Sequence, residues 1–112
     1  MEKSIACGLT VFKSEERANH EKKSIDIFMK AGRIAELKDS YSFYHDYSDD
    51  TFNLLSQWII SESKCCPFLT FELALEPIDR GYEISLRLRG GKEIKRFLKT
   101  DLQARGIKVS GE

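Results

Sequence analysis

Two runs of alternating residues limit the architecture of this chain more than any other feature. Leu69, Phe71, Leu73 and Leu75 alternate with Thr70, Glu72, Ala74 and Glu76. Tyr82, Ile84, Leu86 and Leu88 alternate with Glu83, Ser85, Arg87 and Arg89. A period of two marks a strand with one apolar face. Pro77-Ile78-Asp79-Arg80 reads as the loop between them, so the pair is expected to be an antiparallel hairpin. If Glu76 pairs with Gly81, Leu75 faces Tyr82, Phe71 faces Leu86, and all eight apolar side chains share one face. A slip of one residue would break that match. Glu72 then lies diagonal to Arg87 on the outer face. A hairpin that is apolar on one side needs a cover, and the rest of the chain must provide it.

Helical stripes supply that cover. Ser14 reads as an N-cap with Glu15 and Glu16 in the first turn, followed by Ala18, Ile25, Phe28 and Met29 at helical spacing, and Gly32 as the stop. Ser48 or Asp49 caps a second helix, whose stripe of Phe52, Leu55 and Ile59 is widened by Leu54 and Trp58. After Gly90-Gly91, Ile94, Phe97, Leu98 and Leu102 form a third stripe, which Gly106 ends; residues 107–112 read as a loose tail. Ile34 to Leu37 and Tyr41 to Tyr47 read as two short strands around Lys38-Asp39-Ser40, one longer strand being the alternative. Ile5, Cys7, Leu9 and Val11 alternate and suggest a further short strand.

The order β-α-ββ-α-ββ-α implies one α+β domain over residues 1–112, a two-layer sandwich with a mainly antiparallel sheet packed by about three helices. The expected core is Leu9, Ile25, Phe28, Ile34, Phe43, Phe52, Leu55, Trp58, Ile59, Leu69, Phe71, Leu73, Ile84, Leu86, Leu88, Ile94, Phe97 and Leu98. A chain of 112 residues buries roughly two-thirds of its unfolded surface, enough to fold without staples.

Charge excludes more than it suggests. Eighteen basic and eighteen acidic residues cancel, so no global field draws the chain to nucleic acid or to a membrane surface. No apolar run approaches membrane-spanning length. The basic end, from Arg87 to Lys108, reads as a solvated helix face. Three cysteines are an odd number, and no secretory apolar segment follows Met1, which fits a reducing, cytoplasmic compartment.

Chemistry concentrates where the second helix gives way to the hairpin. The stripe through Phe52, Leu55 and Ile59 continues by spacing to Glu62 and Cys66, so a carboxylate falls where a core residue is expected. Glu62 precedes Cys65 and Cys66 by three and four residues, which puts all three together at the helix end. Pro67 disfavours the helical state for Cys66, and the helix should stop near Cys65. Thiolates are soft ligands, and three of them from Cys7, Cys65 and Cys66 would suit a low-coordinate thiophilic metal ion better than tetrahedral zinc, whose sites use spaced pairs. Glu62 could serve as a fourth ligand or a proton acceptor. Adjacent cysteines can also form a strained, labile disulfide, the mark of a redox switch. A nearby anion and a helix C-terminus both raise a thiol's pKa, so ligation fits better than nucleophilic catalysis, and no enzyme motif is evident. The bland alternative is that both thiols are small buried hydrophobes of a non-enzymatic interaction module, with a homo-oligomer as one form of it. His20 reads as a surface residue and His45, on an aromatic face, as a packed or surface one rather than a ligand.

The block Glu62-x-x-Cys65-Cys66-Pro67-Phe68-Leu69-x-Phe71-x-Leu73, with Leu86-x-Leu88-x-Gly90, Lys92-Glu93 and the early Ile5-Ala6-Cys7-x-Leu9-Thr10, resembles a group of small uncharacterised bacterial proteins with a Cys-Cys-Pro-Phe motif. The resemblance covers most of the chain and is most specific at Cys65-Cys66-Pro67-Phe68. Some members accompany mercury- or metal-resistance regulators, which implies a metal-related role and no catalytic assignment. Gly90-Gly91 stands where relatives carry a Gly-Pro-x-Gly turn.

Overall fold

The two alternating runs form the long arm of a four-stranded antiparallel sheet. The computed structural model describes residues 14–104, 106, 107 and 109, without the side chains of 14–18, 20, 21 and 65. The described elements are α1 (Ser14–Lys30), β1 (Arg33–Glu36), β2 (Ser40–Asp46), α2 (Asp49–Cys65), β3 (Thr70–Ile78), β4 (Gly81–Arg89) and α3 (Lys92–Ala104). The sheet runs in the order β1-β2-β4-β3, and the fold is α+β. The strand expected over Ile5–Val11, with Leu9 and Cys7, lies outside the described residues.

The hairpin register differs from the expected one. Ile78 pairs with Gly81, Leu75 with Ile84 and Phe71 with Leu88. The loop is therefore Asp79-Arg80, and the pairing is displaced by two residues from the Glu76–Gly81 alignment. Two residues make one full side-chain period, so the apolar set stays on one face in either register. Turn chemistry decides between them. Gly81 has φ +107°, a region that glycine enters at no steric cost. Pro77 falls within β3, which sits at one end of the strand order, where a missing N–H is tolerated.

The apolar face of the sheet meets the helices in one core. Phe43, Leu86, Ile84, Leu88 and Tyr41 are almost wholly buried, and Ile27, Phe28, Leu55, Trp58, Ile94, Leu98 and Leu102 pack over them. Phe28 stacks on Phe43 with centroids 4.8 Å apart and meets Trp58 edge-on at 5.9 Å. Trp58 in turn meets Phe71 edge-on at 6.1 Å. Its indole N–H donates to Ser24 Oγ at 2.8 Å, so the largest side chain also locks α1 to α2.

That lock corrects the reading of α1. Ile27 and Phe28 are buried, whereas Ile25 and Met29 are exposed. A stripe with few apolar members does not define its own rotation. Ser24 facing Trp58 and Ile27 O facing His45 define it instead. Leu75 and Tyr82, at the far end of the hairpin, are also exposed, although they share the apolar face. Phe52, Ile59, Leu69, Phe71 and Leu73 pack on the core while only partly buried. Ile107 and Val109, in the stretch expected to be loose, pack there too.

Helix ends follow local chemistry. Ser48 caps α2, its Oγ accepting from Thr51 N–H at 3.0 Å. Gly32 follows α1 without a left-handed cap; its amide donates to Tyr44 O at 2.7 Å, where the ladder of β1 and β2 begins. Gly106 does end α3 in the left-handed region, at φ +71°, with Ile107 N–H donating to Leu102 O at 3.0 Å. Gly106→Ala should cost about 1–2 kcal/mol, the penalty for placing a Cβ in that region. Urea unfolding measures it; an unchanged midpoint would mean that the cap relaxes freely.

The outer face is polar and more tightly paired than a solvated basic end would be. Glu72 lies directly opposite Arg87 and receives Arg89 at 2.8 Å and Arg87 at 3.5 Å. Lys95 Nζ reaches Leu37 O at 2.6 Å and Glu36 at 3.1 Å, tying α3 to the β1–β2 turn. The hydrogen bond from Arg89, aided by both arginine charges, holds the Glu72 carboxyl below its ordinary range. A depressed folded-state value contributes stability above the unfolded pKa and loses it as pH falls through the folded one. Glu72→Gln should therefore lower stability modestly at neutrality and converge with the parent at the acid end, which flattens part of the acid limb of stability against pH. Urea midpoints taken across the acidic range check this, and an acid limb identical to the parent's would refute it. Among the described residues, no helix is long and apolar enough to cross a membrane.

Candidate functional site

The end of α2 is shaped by Pro67. Cys65 is the last helical residue, and Cys66 leaves the helix at φ −127°, ψ 68°, outside the helical region that a following proline disfavours. Cys66 N–H still donates to Glu62 O at 2.7 Å, and Leu69 N–H donates back to Cys66 O at 3.1 Å. These two bonds turn the chain from helix to strand within four residues and fix where the Cys66 side chain goes. It goes inward, being only 2% exposed.

Glu62 lies one helical turn earlier on the same face. Its Oε2 stands 3.2 Å from Cys66 Sγ, a distance at which a thiol donates to a carboxylate. Glu62 is half-buried, which keeps this pair partly screened from water. Cys66 is also one end of a disulfide, bonded to a sulfur outside the described side chains. In that oxidised form the sulfur has no proton to give, and the contact with Glu62 is a close approach only. The carboxylate thus sits beside a buried disulfide sulfur.

Of the four residues expected to meet here, Glu62 and Cys66 do. The side chains of Cys7 and Cys65 lie outside the described residues, so the convergence of three sulfurs is not described. Among the described residues, no group of three or more histidine, cysteine or acidic side chains is placed to hold a metal ion. His20 has no described side chain. His45 is buried and packs under α1, away from any thiol contact among the described residues.

The sequence leaves His45 either packed or at the surface and singles out nothing around it; the structure packs it. The structure gives its ring an uneven pair of environments. Nε2 lies 2.9 Å from Ile27 O, while Nδ1 has no hydrogen-bond partner among the described residues. The alternation Tyr41-x-Phe43-x-His45 was the available signal, since it sends a titratable ring to the apolar face.

No protein-family model matches the chain, and no curated protein or solved structure shows a significant match to it.

Proposed function

We propose that the α2–β3 junction is a thiol centre through which the protein binds, senses or buffers a thiophilic metal ion, with Cys65 and Cys66 as ligands and Cys7 and Glu62 assisting. The observation that carries this reading is the 3.2 Å approach of Glu62 Oε2 to the buried sulfur of Cys66. A ligand thiol must lose its proton, and a carboxylate in contact can receive it or join the coordination shell. Sulfur selects soft ions such as copper(I) or mercury(II) over hard ones. The resemblance to proteins that accompany metal-resistance regulators agrees with that choice.

The test is titration of the reduced protein with mercury(II), copper(I) and zinc(II), using a non-thiol reductant, against Cys65→Ser and Cys66→Ser. The parent should bind the two soft ions more tightly than zinc, and each variant should lose stoichiometry or affinity. Variants that bind as the parent does would end the proposal. A double serine variant that only loses stability would leave a structural role for the cysteines.

A second reading is favoured by the disulfide at Cys66. In it the same thiols act as a redox switch. Two thiols give one disulfide, two protons and two electrons, the electrons passing to a peroxide or to another disulfide. The two readings separate by experiment. The switch retains reversible oxidation without metal, whereas the metal centre loses its ligands on oxidation.

A further inference from the structure

The sheet ends on a strand with little protection. β3 stands last in the order β1-β2-β4-β3, so among the described residues its outer row of N–H and C=O groups has no ladder partner. Natural sheets blunt such edges with lysines, bulges, prolines or charges turned inward. β3 has no lysine and pairs with β4 at every position from Thr70 to Ile78 without a bulge. Its inward row of Phe71, Leu73 and Leu75 carries no charge. Exposed apolar side chains also gather along it, with Phe68 just before the strand and Leu75 and Ile78 within it.

The sequence of β3 itself specifies a partner. When two copies of one strand pair antiparallel about a two-fold axis, directly opposed side chains share a face, so the axis passes through a single residue. Pro77 is tolerated at an edge and not in the middle of a ladder. Only an axis at Leu73 pairs all of Thr70–Glu76 and leaves Pro77 outside. Leu73 then meets Leu73 of the second copy, Phe71 meets Leu75, Glu72 meets Ala74 and Thr70 meets Glu76. The apolar row continues from one sheet into the next, and no two glutamates are opposed. An axis at Glu72 or at Ala74 sets glutamate against glutamate, which is destabilising. An axis at Ala74 or Leu75 also brings Pro77 into the ladder.

We propose that this edge pairs with the same edge of a second copy, in the register centred on Leu73, joining two four-stranded sheets into one. Main-chain hydrogen bonds supply affinity and the alternate side chains supply the match. The proposal is independent of the metal reading, because it uses none of the thiols.

The dimer should form with an affinity on the order of micromolar, the weak end for a specific interface. Sedimentation of the full chain on either side of that concentration measures it, with a non-thiol reductant present so that no disulfide joins copies. Thr70 is exposed on the outer face, so it can be changed without disturbing the core. Thr70→Glu opposes Glu76 of the second copy, twice by symmetry, and should weaken the dimer about two- to thirtyfold. Adding Glu76→Lys turns both repulsive pairs into attractive ones and should restore it. In hydrogen exchange, protection of the outward β3 amides should rise with protein concentration. A chain that stays monomeric well above micromolar overturns the proposal, as does a dimer that Thr70→Glu leaves unchanged or that Glu76→Lys does not restore. Outward β3 amides already protected in a purely monomeric sample also overturn it, since another part of the same chain would then occupy the edge.

Discussion

Phe43→Ala is expected to destabilise the protein by about 3–5 kcal/mol, the range for removing a buried ring that its surroundings cannot replace. Phe43 is fully buried. It lies on β2 opposite Ile34 on one side and Leu86 on the other, and Phe28 stacks on it at 4.8 Å. The sheet holds its Cα in place from both sides, so neighbours cannot close the hole by moving a strand. Phe28 would also lose its stacking partner, and Trp58 would lose the support that Phe28 provides. Because the chain has a single tryptophan, its fluorescence during urea unfolding measures the loss directly. With total stabilities of about 5–15 kcal/mol usual for domains, the variant would be marginal at room temperature. A loss below about 1 kcal/mol would mean that the core repacks and that Phe43 is not its centre.

Cys66→Ser carries the largest expected functional effect. It exchanges a soft ligand for a hard hydroxyl at the position closest to Glu62. Altering only the partners of a metal ligand costs roughly 10–100-fold in affinity, so loss of the ligand itself should reduce mercury(II) or copper(I) affinity more than about a hundredfold. The fold should survive. A serine hydroxyl can donate to the Glu62 carboxylate, which lies 3.2 Å from the sulfur, so the buried polar group is not left unpaired. Competition against a chelator of known affinity measures the change, and urea unfolding of the metal-free variant separates ligand loss from misfolding. If affinity falls less than threefold in a folded variant, Cys66 is not a ligand.

Much of the architecture was legible because it rests on period. The alternation from Leu69 to Leu88, the stripe of α3 and the cap at Ser48 each specify a face or an end through local geometry. Rotation and register were not legible. The hairpin slid by two residues because that displacement preserves every inward side chain, and only the positive φ of Gly81 distinguishes the alignments. In α1 the neighbouring choices Ile25 and Ile27 differ by rotation about the helix axis. A hydrogen bond to Trp58 in another helix selected between them.

The same division runs through the thiol centre and the open sheet edge. Glu62 and Cys66 could be paired from the chain alone, because one helical turn separates them and Pro67 says where the helix stops. The place of β3 at the end of the sheet could not be read that way, because β2, far away in sequence, takes the other side of β4. By itself, the order of residues determined element types, apolar faces and the local pairing at the helix end, all of which depend on neighbours a few positions away. Tertiary structure alone decided how the helices rotate, which alignment the hairpin takes and which buried nitrogen lacks a partner among the described residues, because those depend on contacts between segments that meet only after folding.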